Sequence, residues 1–202
     1  MTALRFPRGR LGRGLLAAVV LLAVAWAIVW WVGEHHEADQ RFHTVRRGVL
    51  YRSRQPEAEN FSGVARRNIV QVVNLRSELE DKEAFTRIQA ACKAQGVSMV
   101  NIPISTVVPD EEQIQRFLQA VKDCKGATLV HCAQGRSRTG IMIAAYRVVM
   151  EGWTAQAAYD EMIRFGDNPK GEEHTIRLAL LNRLSRDRGQ WLERIQAPST
   201  QP

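Results

Sequence analysis

The chain has little of what marks several large classes of protein. Three cysteines in 202 residues are too few for the disulfide framework of a small secreted domain. No Cys/His group has zinc spacing, so the sequence offers no metal-ligand set and the reading includes no metal and no cofactor. There is no Gly-x-Gly-x-x-Gly, and neither Gly135 nor Gly140 is followed by Lys-Ser or Lys-Thr, which excludes the dinucleotide and Walker-type phosphate loops. No internal repeat, low-complexity tract or Gly/Ser linker follows residue 40. Acidic residues are missing from the first 14 positions, where Arg5, Arg8, Arg10 and Arg13 account for four of the net charge of +7. The +3 that remains for the rest of the chain is too weak a field to track a nucleic-acid backbone, so nucleic acid is not among the expected partners. With 45% hydrophobic and 24% charged residues, the composition is that of a folded domain. A stretch of roughly 150 residues buries ~70% of its unfolded surface without staples.

Leu15 to Val32 reads LLAAVVLLAVAWAIVWWV, 18 residues without a charge. As a helix the run would be about 27 Å long, close to the ~30 Å hydrocarbon core of a bilayer. Trp26, Trp30 and Trp31 gather at one end, where interfacial indole rings belong, so the run is read as an uncleaved transmembrane anchor. A cleaved signal peptide is the alternative, with Ala23-Val24-Ala25 or Ala25-Trp26-Ala27 as small-residue sites. Four arginines before the span, against Arg41, Arg46 and Arg47 after it, place the N-terminus in the cytoplasm and the bulk outside. The expectation is a single-pass protein of the cell (inner) membrane with an extracytoplasmic domain. Residues 1–14 are then a basic segment, 15–32 the anchor, 33–44 a juxtamembrane linker holding His35 and His36, 45–188 one domain, and 189–202 a polar tail.

Within that domain strands alternate with helices. Val49–Tyr51, Ile69–Leu75, Val97–Ile104 and Thr128–His131 are extended. Glu57–Arg67, Glu80–Gln95, Asp110–Cys124, Thr139–Met150, Thr154–Phe165 and about His174–Arg188 are helical, with Gly96 and Gly126 as stops. The helical periodicity is clearest in Asp110–Cys124, where Ile114, Phe117, Leu118 and Val121 form one face of a helix. Alternation of this kind predicts an α/β fold, a central, mostly parallel sheet flanked by helices.

The chemistry concentrates in Val130-His131-Cys132-Ala133-Gln134-Gly135-Arg136-Ser137-Arg138-Thr139-Gly140, which runs from a buried strand through a short loop into a helix. Such a loop aims successive N–H groups at one point, and the helix dipole adds to them, so Ala133, Gln134, Gly135, Arg136, Ser137 and Arg138 are the expected phosphate cradle. Cys132 faces those donors and is favoured as a thiolate. Arg138 can grip two phosphoryl oxygens bidentately, as a lysine cannot. Gly135 permits backbone conformations that a Cβ would block. Thr139 places a hydroxyl near the sulfur.

The string His-Cys-x-x-Gly-x-x-Arg-Thr-Gly resembles the signature of the cysteine-dependent protein tyrosine and dual-specificity phosphatases. Leu50–Pro56, Val72–Arg76 and Ile102–Ile104 look like the N-terminal strands of the compact, atypical dual-specificity branch, so the resemblance covers about residues 45–165. It implies a metal-independent phosphatase that passes through a cysteinyl-phosphate, with Cys132 as nucleophile. Rhodaneses also use a strand-loop cysteine, but their loop resembles one residue fewer between Cys and Arg.

The resemblance also implies an aspartate as general acid on the loop before the signature, and here Ser105 and Thr106 stand where many relatives carry it. Asp110, before Glu111 and Glu112, is the nearest candidate; Asp110 with Gln113 equally fits a helix capping box. His131 is read as a buried ring that orients the loop rather than as an acid or base. Arg52 and Arg76 end strands where ligand clefts form, or they are solvated. Cys92 and Cys124 are two buried thiols on apolar helix faces or, in an oxidising compartment, a pair. Phosphorylated proteins are the first expected substrate class. Phospholipid or inositol phosphates come second, because Gly135-Arg136-Ser137-Arg138 resembles the loop of the phosphatidylglycerophosphate phosphatases. A catalytically weak phosphate-binding module is the reading from another class.

Overall fold

The computed structural model describes residues 19–29, 42–57, 61 and 68–196. The chain divides into two units, residues 1–41 and 42–202. In the first, residues 19–29 are helical and Val19, Leu21, Leu22, Trp26 and Val29 are exposed. The remainder of the expected 15–32 span, the linker with His35 and His36, and most of the helix expected at Glu57–Arg67 lie outside the described residues. No helix among the described residues is long and apolar enough to cross a membrane.

The second unit contains a five-stranded sheet. Its strands are β1 (His43–Arg46), β2 (Leu50–Ser53), β3 (Ile69–Asn74), β4 (Ser98–Asn101) and β5 (Ala127–His131), in the order β1-β2-β5-β3-β4. The sheet is mixed: β1 runs antiparallel to β2 and every other pair is parallel. The expected mostly parallel sheet thus gains an antiparallel edge strand from residues assigned to the linker and the domain start. β1 is short and half-exposed, and its His-Thr-Val-Arg sequence carries one apolar residue, too little for a periodicity.

Register aligns Ser53, His131, Asn74 and Asn101 as a row across the carboxyl ends of β2, β5, β3 and β4. The loops leaving these four residues open on one edge of the sheet, where ligand clefts form in parallel sheets. β5, in the centre, is buried at all five positions. Because side chains alternate between faces, Leu129 joins Val72, Ile88 and Cys92 in one core, while Val130 joins Val73, Ile114 and Phe117 in another.

The helices of this unit are α1 (Lys82–Ala94), α2 (Glu111–Asp123), α3 (Ser137–Val149), α4 (Ala155–Arg164), α5 (Glu172–Arg186) and α6 (Arg188–Gln196). α1 packs on the smaller core through Ile88 and Cys92. The other five cover the larger core. α3 is buried from Thr139 to Val149, as a helix enclosed by sheet and neighbouring helices must be. Asp81, Asp110 and Thr154 cap α1, α2 and α4 by accepting from backbone N–H groups.

The expected polar tail beginning at 189 is corrected by α6. Its Trp191 and Ile195, four residues apart, are buried in the larger core. Arg188 Nε donates to the Val149 carbonyl (2.9 Å) and Lys122 Nζ to the Ile195 carbonyl (2.7 Å). Leu192 is partly buried against the same core, and long basic side chains cover the helix flanks.

Candidate active site

The sheet edge supplies the frame. β5 ends at His131 and α3 begins at Ser137, leaving the five residues Cys132–Arg136 as a tight loop. Neighbouring strand ends hold it in place: Leu75 N–H donates to the His131 carbonyl (2.9 Å), and Gln55 N–H to the Ala133 carbonyl (3.3 Å). Gly135 takes φ +67°, and a Cβ there would lie 2.4 Å from the Ser53 carbonyl oxygen. Only glycine fits both the turn and the close passage over β2.

Cys132 lies at the bottom of the loop, 4% exposed, with the Gly135 N–H donating to Sγ at 3.2 Å. Burial alone would raise the thiol pKa. The Thr139 hydroxyl and the N–H groups of Thr139, Gln134 and Gly135 outweigh it, and the net shift is downward. Thr139 Oγ1 is buried and has no other hydrogen-bond partner among the described residues, so the sulfur is its natural acceptor. No side chain caps α3, which leaves the first-turn N–H groups and the positive helix end directed at the loop. His131 is fully buried. Burial lowers its pKa to about 4, so the ring is neutral at working pH. Cys92 and Cys124 are free thiols; burial pushes Cys92 up to about 11.

Arg138 is held in a fork. Its two terminal nitrogens donate to Glu80 Oε1 (2.6 Å) and Oε2 (3.0 Å), and Nη1 also reaches the Ile104 carbonyl (3.4 Å). The Arg138 hydrogen bonds hold the Glu80 carboxyl down at about 2, aided by the Ser77 N–H and Arg76 against partial burial. Glu80 is therefore an ionised clamp, not a proton donor. Nε–H of Arg138, one of the five guanidinium donors, makes no hydrogen bond among the described residues. Ser137 donates to Asp167 (2.5 Å), and Asp167 is paired with the buried Arg177. Ala133, Gln134 and Arg136 are exposed along the loop.

A cleft of about 540 Å³ adjoins Arg138, walled by Ser77, the 104–107 loop, Glu173 and Arg177. Asp110 is not among its lining residues. The Asp110 carboxylate accepts from Gln113 N–H (2.8 Å), its own N–H donates to Gln113 Oε1 (2.9 Å), and Gln113 Nε2 reaches the Pro103 carbonyl (2.7 Å). This is the complete capping box, and it also fastens α2 to the preceding loop. The carboxylates that do line the cleft are Glu80 and Glu173. No group of three or more His, Cys, Asp or Glu side chains among the described residues is placed to hold a metal ion.

The sequence motif thus brings Cys132, Gly135, Arg138 and Thr139 together, and does not bring Asp110. It missed Glu80, Glu173, Asp167 and the position of Arg52, whose Nη2 donates to the Gly135 carbonyl. For Glu80 a signal was present: Ser77-x-x-Glu80 is a capping-box spacing directly after a strand. A nucleophilic sulfur ringed by N–H donors, with a guanidinium beside it, is an oxyanion site built for phosphoryl transfer.

Residues 23–177 match the family described as DSP-PTPase phosphatase fused to NAD+ kinase. The chain belongs to this family. It is 33% identical over 123 residues to the dual specificity protein phosphatase TpbA of Pseudomonas aeruginosa (strain UCBPP-PA14), a match covering 59% of this chain and 53% of that protein. The chain thus spans about half the length of this relative. The crystal structure of P. aeruginosa TpbA superposes with TM-score 0.57 at 26% identity, covering 70% of this chain and 86% of that one. The catalytic core of the PP-IP phosphatase SIW14 from S. cerevisiae shares the fold, with TM-score 0.56 at 24% identity over 75% of this chain and 93% of that one.

Proposed function

We propose that this chain is a membrane-anchored, cysteine-dependent phosphatase that hydrolyses phosphate monoesters on proteins, at phosphotyrosine and phosphoserine or phosphothreonine, through a cysteinyl-phosphate. The observation that carries the mechanism is the uncapped start of α3 converging with loop N–H groups on the buried Cys132 sulfur. Cys132 thiolate attacks phosphorus while the N–H groups of the 133–138 loop and Arg138 hold the equatorial oxygens. The P–O bond to the leaving oxygen breaks, and that oxygen takes up a proton. Water then attacks phosphorus, the S–P bond breaks, and the thiolate leaves with Thr139 stabilising it, releasing inorganic phosphate. No step requires a metal. The dual specificity protein phosphatase relative supports the substrate class, and a cysteine-to-serine variant of P. aeruginosa TpbA has been crystallised in complex with pTyr.

A second reading rests on a separate cavity of about 470 Å³ beside Ala133, lined by Arg54, Arg76 and Arg87 among others. Three guanidiniums next to the loop suit the second phosphate of a phospholipid headgroup or inositol phosphate. Each of them already faces a carboxylate, Glu57, Asp81 and Glu83 respectively, which ranks this reading below phosphoprotein. Anchoring in the cell membrane with the domain outside rests on the uncharged run at 15–32 and the arginines before it.

The test is full-length protein in detergent, with EDTA and reductant, on phosphopeptides, phosphatidylglycerophosphate and inositol polyphosphates. The proposal expects highest kcat/KM on phosphopeptides and no turnover by Cys132→Ser. Turnover that survives in Cys132→Ser ends the mechanism. Preference for the lipid or inositol phosphates moves the substrate to the second reading, and phosphate binding without turnover by the wild type would make the chain a binding module. Extraction by alkaline carbonate would refute the anchor, and a cytoplasmic C-terminal reporter its orientation.

A further inference from the structure

Arg52 is the largest fully buried side chain of the described residues, 1% exposed. It lies on β2, opposite Val130 of β5, directly beneath the signature loop. Its guanidinium carbon is 4.3 Å from the centroid of the Phe165 ring, and His43 closes the far edge of that ring at 4.8 Å. One nitrogen, Nη2, donates to the Gly135 carbonyl at 2.8 Å. The other, Nη1, is buried with no hydrogen-bond partner among the described residues. The solvated alternative for this arginine is therefore excluded.

A buried cation ordinarily has a carboxylate against it, and Arg52 makes no ion pair among the described residues. The acidic groups whose field reaches it are Glu161 of α4 and Asp167 after it. Glu161 is taken by Arg147 (2.7 Å), and Asp167 by Arg177 and Ser137. Arg147 adds a repulsion of its own, and the remaining negative group is Cys132. Burial brings the guanidinium down to about 10, so it stays charged at neutral pH.

The hydrogen bond to Gly135 has a geometric result. In a trans peptide the C=O and the following N–H point in opposite directions. With the Gly135 carbonyl drawn down onto Arg52, the N–H of Arg136 is turned up toward the oxyanion. We propose that Arg52 is a positioning residue of the phosphatase reaction, which fixes the Gly135–Arg136 peptide and supplies from below the positive charge that the thiolate and the bound phosphoryl group balance. This rests on Cys132 being the nucleophile. Glu161 and Asp167 are each held by another cation, so the reacting group is the one negative partner of Arg52 not already paired with a side-chain cation among the described residues.

Two substitutions separate the two contributions. Arg52→Gln retains a donor for the carbonyl and loses the charge; Arg52→Lys retains the charge and loses the planar, stacked fork. Full-length protein in detergent is assayed for Cys132 thiol pKa by the pH dependence of iodoacetamide alkylation, for inorganic phosphate Kd, and for kcat and KM on an aryl phosphate, with circular dichroism as the check of folding. Arg52→Gln should raise the thiol pKa by about one unit and weaken phosphate binding about tenfold. Arg52→Lys should keep the thiol pKa near wild type and lower kcat at least about tenfold. A folded Arg52→Gln with wild-type thiol pKa and phosphate Kd overturns the proposal. If Arg52→Gln does not fold, Arg52→Lys decides: wild-type kcat overturns it, and a lowered kcat at unchanged thiol pKa supports it. Failure of the nucleophile assignment shows separately, as turnover by Cys132→Ser.

Discussion

Gly135→Ala tests how closely the loop is fitted to the strand beneath it. The new Cβ would stand 2.4 Å from the Ser53 carbonyl oxygen and 2.7 Å from the Arg54 nitrogen. Both are backbone atoms at the carboxyl end of β2, so no side chain can swing away. Restoring ordinary contact requires the loop to retreat by about 1 Å, a displacement worth about 10²-fold in rate when it falls on reacting groups. The φ of +67° adds about 1–2 kcal/mol of left-handed strain. The Gly135 N–H, now 3.2 Å from the sulfur, would pass out of hydrogen-bond range, and the thiol pKa would rise. The expected result is a folded variant destabilised by about 2–3 kcal/mol in urea unfolding, with kcat on an aryl phosphate down about 10²-fold and alkylation of Cys132 shifted to higher pH. Wild-type kcat and thiol pKa in Gly135→Ala would show that the loop is not held by β2.

Three further outcomes follow from the same geometry. If Asp110 donates the proton to the leaving oxygen, Asp110→Asn should lower turnover of an alkyl phosphate by about 10²–10⁴-fold and spare a good aryl leaving group; if Glu173 in the cleft does so, Glu173→Gln shows that pattern and Asp110→Asn, still a competent cap, changes little on either substrate. Glu80 has a folded pKa of about 2, below its ordinary 4.5, so its contribution is complete above pH 4.5 and is lost as pH falls toward 2. Glu80→Gln should therefore flatten that part of the acid-unfolding profile, cost about 1 kcal/mol at neutral pH for a partly exposed pair, and reduce kcat/KM about tenfold by freeing Arg138; an unchanged kcat/KM would refute the clamp. Trp191→Ala should cost about 3–5 kcal/mol in urea unfolding if α6 is part of the domain, and no loss would return residues 188–196 to a tail.

What the sequence made legible was local. Cys132 and Arg138 are six positions apart on one strand-loop-helix, and Ile114, Phe117, Leu118 and Val121 repeat within one helix, so spacing alone exposed them. The groups that shape the site arrive from elsewhere: Glu80 reaches Arg138 across 58 positions, Arg52 reaches Gly135 across 83, and Asp167 reaches Ser137 across 30. Such pairings depend on strand order, which periodicity does not encode. α6 escaped because its three apolar residues, Trp191, Leu192 and Ile195, are too few to show a periodicity, and the groups that tie it down, Lys122 and Val149, belong to distant helices. Asp110 was seen in its correct local role, the cap. Its distance in sequence from the motif said nothing about which carboxylates wall the cleft.

The Arg138–Glu80 fork has an entropic consequence. A free arginine carries about 2 kcal/mol of rotamer freedom, and an enzyme that recruits one on binding loses that freedom at the moment of encounter. Here the side chain is ordered by an intramolecular carboxylate during folding, before any phosphate arrives. The substrate meets a guanidinium already oriented, and every phosphate monoester benefits equally. Discrimination among substrates is therefore shifted away from the phosphoryl group and onto whatever the leaving group touches in the cleft walled by residues 104–107, Glu173 and Arg177.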